Sequence, residues 1–226
     1  MERDAFLARV KSAAEIGRQY RVHIHDFPPE TGYVGVQEDL CTRLAAEIIA
    51  VGGEAFVVPT LDDARLRLAT ILESTPVSSA LCWQHELLDR LELRSLLAAR
   101  NIRLHDAESL ADESFASRRQ IQLACDVGIT SVDCAVAETG SLLVGSRLGR
   151  ERLASLLPPM HVAVVERSQI VPDLLDAFAM LHTRGVAHLP SNLAFITGPS
   201  KTGDIELQLT TGVHGPGRWQ VIIVSA

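Results

Sequence analysis

Helix-period segments alternate with short, fully apolar runs along most of this 226-residue chain, and no other feature constrains its fold as tightly. From Glu38, the residues Leu40, Cys41, Leu44, Ala45, Ile48 and Val51 recur on one helical face, and Gly52 and Gly53 stop the pattern. Ala55 to Val58 reads as a strand, Leu61, Ala64, Leu68 and Ile71 mark a second helix, and Val77 to Cys82 reads as the next strand. Residues 84–99 form an interrupted helical segment and 108–125 further helix. In the second half, apolar runs fall at 127–136, 142–144, 161–165, 193–197 and 219–224, with helices expected over 151–157 and 171–181 between them. Pro172 is tolerable in the first turn of the latter. Strand runs without polar alternation are buried on both faces, so the pattern predicts an α/β fold whose sheet is covered on both sides.

A hydrophobic content of 47% suffices for one sizeable core, and a single domain over 1–226 is expected. Residues 1–34 read as an N-terminal arm, helical over 1–18 and then aperiodic, with prolines and aromatics from Tyr20 to Val34. A formal net charge of -7 without a lysine-rich run argues against nucleic acid and anionic membrane surfaces as partners. Met1 to Lys11 is charged throughout, and no apolar run is long enough to span a bilayer, so a soluble cytoplasmic protein is expected. The four cysteines, Cys41, Cys82, Cys125 and Cys134, contain no CxxC pair, so no cofactor or metal is encoded by a recognisable motif. Reduced, mostly buried thiols are expected.

Chemistry-bearing residues gather after the apolar run 193–197. Gly198-Pro199-Ser200-Lys201-Thr202-Gly203-Asp204-Ile205-Glu206 supplies a turn, hydroxyls and a lysine that suit a small anion. The spacing is not that of a phosphate-binding P-loop, and Asp204 and Glu206 would repel a phosphate. The competing reading makes Ser200 or Thr202 the N-cap of a short helix with those acids in its first turn. Gly212-Val213-His214-Gly215-Pro216 places a histidine in a glycine-rich connection. Glu138, in Ala137-Glu138-Thr139-Gly140, ends an apolar stretch, as a nucleophile, a general base or a hydrogen-bonded strand-end acid. His161 follows two prolines and begins a strand, as a proton shuttle or a satisfied core histidine. Ser131 and Asp133 are polar residues in an apolar setting that either bond backbone groups, the favoured reading, or face a cavity, and His23 and His25 read as a solvated or loop-packed pair rather than metal ligands. Neither GxSxG nor GxGxxG occurs.

Five ordered segments, Gly128-Ile129-Thr130, Ala137 to Ser141, Pro158 to Val164, Gly198 to Glu206 and Gly212 to Pro216, together resemble the lactate utilization protein C family, the LUD-domain proteins. The likeness is close from Asp126 to Val224. Gly203 stands where the family usually has alanine, which would loosen a helix start, and Ser141 where threonine is common. The resemblance implies a three-layer α/β sandwich with a mostly parallel sheet, of the NagB/RpiA/CoA-transferase-like kind, related to 5-formyltetrahydrofolate cyclo-ligases. It also implies a part in oxidising L-lactate to pyruvate beside iron–sulfur partner proteins, which would then hold the clusters. One expectation is an accessory subunit of a lactate-oxidising complex. The other is an enzyme for an anionic or acyl-CoA-like small molecule. In the enzyme, Glu138 acts as nucleophile or base, as a glutamate does in CoA-transferases, and His214 assists proton transfer. Thr139, Gly140, His161, Gly198, Ser200, Lys201, Thr202 and Asp204 line its substrate site.

Overall fold

The structure is a computed structural model, and it describes residues 3–18, 39–185, 188–205 and 208–226. His23, His25 and Glu206 lie outside the described residues, as does the Asp204 side chain. Two units divide the chain, Met1–Val34 and Gly35–Ala226. The described residues of the first form the helix α1 (Arg3–Arg18).

The second unit opens with α2 (Leu40–Ala50), whose N-cap Asp39 accepts the backbone N–H of Thr42. Cys41, Leu44 and Ile48, spaced by three and four, form its buried face. After β1 (Glu54–Val58), Thr60 caps α3 (Leu61–Glu73), and Asp62 and Asp63 in its first turn suit the helix dipole. Then follow β2 (Ser79–Cys82), the short helices α4 (Glu86–Arg90) and α5 (Leu93–Ala98), β3 (Arg103–His105), α6 (Phe115–Leu123) and β4 (Val127–Thr130). Helix α6 starts seven residues later than the apolar pattern suggests. Asp106 and Ser109 exchange side-chain bonds with each other's backbone N–H and hold a turn there, while Ser114 supplies the cap.

The apolar run 127–136 is two strands rather than one. Gln169 donates to the Ser131 hydroxyl and the Val132 carbonyl between them, and the chain leaves β4 for a second sheet. There lie β5 (Cys134–Val136) and β6 (Ser141–Ser146), then a 3-10 turn over Arg152–Ser155. The chain returns as β7 (Met160–Glu166), makes β8 (Ile170–Val171), α7 (Leu174–Arg184) and β9 (Asn192–Ile196), then the hairpin β10 (Lys201–Ile205) and β11 (Gln208–Thr211), and ends in β12 (Arg218–Val224). Pro172 precedes the α7 N-cap, Asp173, instead of entering the first turn. The expected Ser200 or Thr202 helix cap is overturned: these residues lead into β10, where Thr202 pairs with Thr210, so Gly203 lies in a strand.

The central sheet runs β1-β12-β7-β4-β2-β3, and every pair in it is parallel. Consecutive residues of β4, β7 and β12 are buried, so both faces are covered, as a three-layer α/β arrangement requires. The second sheet, β8-β5-β6-β9, is mixed. Its period-two alternation is clean: Ala135, Ala137, Leu142 and Val144 join the main core, whereas Cys134, Val136 and Leu143 pack with Ala177 of α7. Among the described residues no helix is long and apolar enough to cross a membrane. All four cysteines are buried free thiols.

Candidate functional site

The motif loops meet around the C-terminal half of α2, at the amino edge of the central sheet. Glu138 sits half-buried in the β5–β6 turn, where its N–H donates to the Pro172 carbonyl at 3.0 Å. No described residue donates to its carboxylate. Thr139 donates to the Ser141 hydroxyl at 2.8 Å, and that hydroxyl meets the Thr197 hydroxyl at 2.7 Å, linking the turn to the end of β9. Gly140 has φ +65°, and a Cβ there would lie 2.7 Å from the backbone of Glu47 and of Ile48, so only glycine lets the turn rest on α2.

The turn after β9 reaches the end of the same helix. Gly198 lies against the Val51 carbonyl, to which the Lys201 ammonium donates at 2.6 Å. Terminal carbonyls of a helix lack intrahelical partners, so this lysine caps α2 with charge of the favourable sign. The Ser200 N–H donates to the Pro216 carbonyl and the Ser200 carbonyl accepts the Gly212 N–H, both at 2.9 Å, which ties this turn to the His214 loop. His214 itself is exposed, and Thr202 is half-buried.

His161 stands apart. It is fully buried in β7, in register with Gly128 and Trp219 and therefore on their face of the sheet. Its Nε2 meets the Thr130 hydroxyl at 2.9 Å, while its Nδ1 and the Trp219 indole N–H find no partner among the described residues. Burial pushes its pKa down to about 4, so the ring is neutral at physiological pH. Thus the structure gathers the turns of Glu138, Gly198 to Thr202 and His214 on one edge, with His161 in the interior beside it. Among the described residues no group of three or more His, Cys, Asp or Glu side chains is placed to hold a metal ion.

The opposite, carboxyl edge holds a cluster that sequence reasoning passed over. Asp133, read as a backbone-bonding residue, does accept the Gly145 N–H at 2.7 Å. It also draws in Arg147, Arg150 and Arg184. The available signal was the arginine-rich stretch Arg147-Leu148-Gly149-Arg150-Glu151-Arg152.

Residues 41–224 match the LUD domain. The chain belongs to the LUD-domain family, in its lactate utilization protein C branch. A lactate utilization protein C of a Geobacillus species is 32% identical over 99% of this chain and 95% of that protein. Another, from an Exiguobacterium species, is 29% identical over 98% of this chain and 95% of its own length. In fold the chain is similar to the crystal structure of a DUF162 family protein from Deinococcus radiodurans, with TM-score 0.58, 20% identity and coverage of 82% of this chain and 96% of that one.

Proposed function

We propose that this protein is a cytoplasmic component of a lactate-utilization system that takes L-lactate to pyruvate together with iron–sulfur partner proteins. The observation that carries the reading is its similarity, over nearly its full length and theirs, to proteins called lactate utilization protein C. Oxidising lactate to pyruvate releases two protons and two electrons. The four thiols here are buried and free, and on this reading the clusters that carry the electrons belong to the partners. The test is deletion of the gene followed by growth on L-lactate as sole carbon source. Loss of growth restored by the wild-type chain is expected; unimpaired growth sinks the reading.

A second reading takes the chain as an enzyme for an anionic or acyl-CoA-like molecule, with Glu138 as nucleophile or base and His214 moving a proton. It is favoured by a half-buried carboxylate that no described residue engages, in a turn linked to the Lys201 turn through the Thr139, Ser141 and Thr197 hydroxyls. The ammonium, already held by Val51, retains two N–H donors for a substrate anion. Complementation with Glu138→Gln separates the two readings. The accessory role expects full rescue, and the catalytic role expects none from a variant that accumulates normally.

A further inference from the structure

At the carboxyl edge of the central sheet three guanidinium groups converge on one carboxylate. Asp133 Oδ1 is contacted by Arg147, by Arg184 at 3.3 Å and by Arg150 at 3.7 Å, while Oδ2 is occupied by the Gly145 N–H. The Asp133 side chain is 2% exposed, against 43% for Arg147, 23% for Arg150 and 33% for Arg184. No other described acid pairs with any of the three. Three positive charges against one negative leave a local excess of two, half-buried, in a chain whose overall charge is -7. Such an excess is unfavourable in a low-dielectric setting. It shows in Arg150, whose pKa burial and the neighbouring Arg147 and Arg184 hold below its ordinary value.

The cluster stands where open α/β sheets take ligands. Strands β4 and β2 are neighbours, yet the chain leaves β2 toward β3 on one side and β4 toward β7 on the other, which makes their carboxyl ends a switch point. The arginine-bearing turn is fastened over that crevice. The Gln84 N–H donates to the Gly149 carbonyl at 2.7 Å, the Trp83 indole N–H donates to the Glu151 carbonyl at 2.9 Å, and Arg147 and Arg150 exchange backbone hydrogen bonds. Beside it opens a cleft of about 460 Å³ whose lining includes Arg147, Arg152, Ser191 and Asn192 together with the acidic Glu151. Of the three arginines on Asp133 it is thus Arg147 that reaches the cleft, while Arg150 and Arg184 stand behind it. Guanidinium forks, a hydroxyl and an amide suit an oxyanion with a polar remainder.

We propose that Arg147 and Arg152 bind the doubly charged phosphate group of a small molecule seated in this cleft, with Arg150 and Arg184 adding positive potential from their places on Asp133. Two uncompensated positive charges match a dianion better than a monocarboxylate. The site is separate from the Glu138 edge, and its test uses no lactate-dependent readout.

The intact protein is titrated with inorganic phosphate at constant ionic strength, with binding followed by calorimetry and by thermal melting. Saturable binding that raises the melting temperature is expected, because a ligand bound only to the native state stabilises it. Arg147→Gln and Arg152→Gln should each weaken binding about tenfold, as loss of a charge-assisted contact does, and Arg150→Gln less, through lost potential alone. Arg65→Gln on α3, which breaks an ion pair with Glu92, should leave binding unchanged. Arg147 is the most exposed of the three arginines on Asp133, so Arg147→Gln remains informative even if Arg150→Gln fails to fold. The proposal is overturned by absence of saturable phosphate binding, by equal weakening in Arg65→Gln, by unchanged binding in Arg147→Gln, or by L-lactate binding there more tightly than phosphate.

Discussion

Lys201 and Val51, 150 residues apart in sequence, are joined by a 2.6 Å hydrogen bond from ammonium to carbonyl. The contact anchors the glycine-rich turn after β9 to the end of α2 and gives the most prominent lysine of the chain a structural task. Lys201→Met, which keeps the stem and removes the charge, should lower unfolding free energy by about 0.5–1 kcal/mol. Lys201→Arg should lose less. Urea denaturation measures both, and an unchanged midpoint in the methionine variant would show that the cap adds nothing.

Gly128 should tolerate no side chain. A Cβ there would sit 1.6 Å from the Ala154 carbonyl oxygen, a backbone atom of the 3-10 turn packed on β4. Gly128→Ala must displace either the strand or the turn, at about 3 kcal/mol or more. Thermal melting checks this, and a melting temperature within a degree or two of wild type would be incompatible with so close an approach.

These two positions show unevenly what the sequence makes legible. The strands around His161 and Trp219 were readable because residues buried on both faces leave an unbroken apolar run. The split of 127–136 into β4 and β5 was not, because the turn between them is set by Gln169 from 37 residues away. Ser200 and Thr202 read as caps for another reason: hydroxyls beside acids suit a helix start as well as a polar hairpin strand, and residue type does not separate the two. Glu138, Lys201 and His214 stood out by residue type, and their loops do meet around α2. Asp133 stands out as a polar residue in an apolar run, but its arginine partners do not, because Arg184 lies 51 residues away and the stretch from Arg147 to Arg152 carries no named motif.

His161 should make stability depend on mild acid. Its folded pKa is about 4, below the ordinary 6.5, so above pH 6.5 the ring is neutral in both states and contributes nothing to the slope. Between these values the unfolded chain binds a proton that the native protein refuses. Stability therefore falls as pH is lowered, by about 3 kcal/mol in all once pH reaches the folded value. Unfolding by urea at intervals from neutral pH to about pH 4.5 should show a slope approaching one proton that His161→Gln lacks. Equal slopes in the two proteins would rule out a buried neutral imidazole.

The cysteines should be silent in the folded protein. Burial raises the thiol pKa at all four positions, to about 11 at Cys125 and Cys134, which leaves little thiolate near pH 8. A chromogenic disulfide reagent should label no thiol rapidly in the native state and all four after denaturation. Prompt native labelling would indicate that one of them is accessible.

The two tryptophans of the chain sit at opposite edges of the central sheet, Trp83 just past the carboxyl end of β2 and Trp219 at the amino end of β12. Trp83 is tethered through its indole to the arginine-bearing turn, whereas Trp219 packs beside Gly53 under the end of α2. Fluorescence therefore comes with two built-in reporters. A Trp219→Phe protein emits from the arginine edge and a Trp83→Phe protein from the Glu138 edge, so the pair can locate by light alone the side of the molecule at which a ligand or partner arrives.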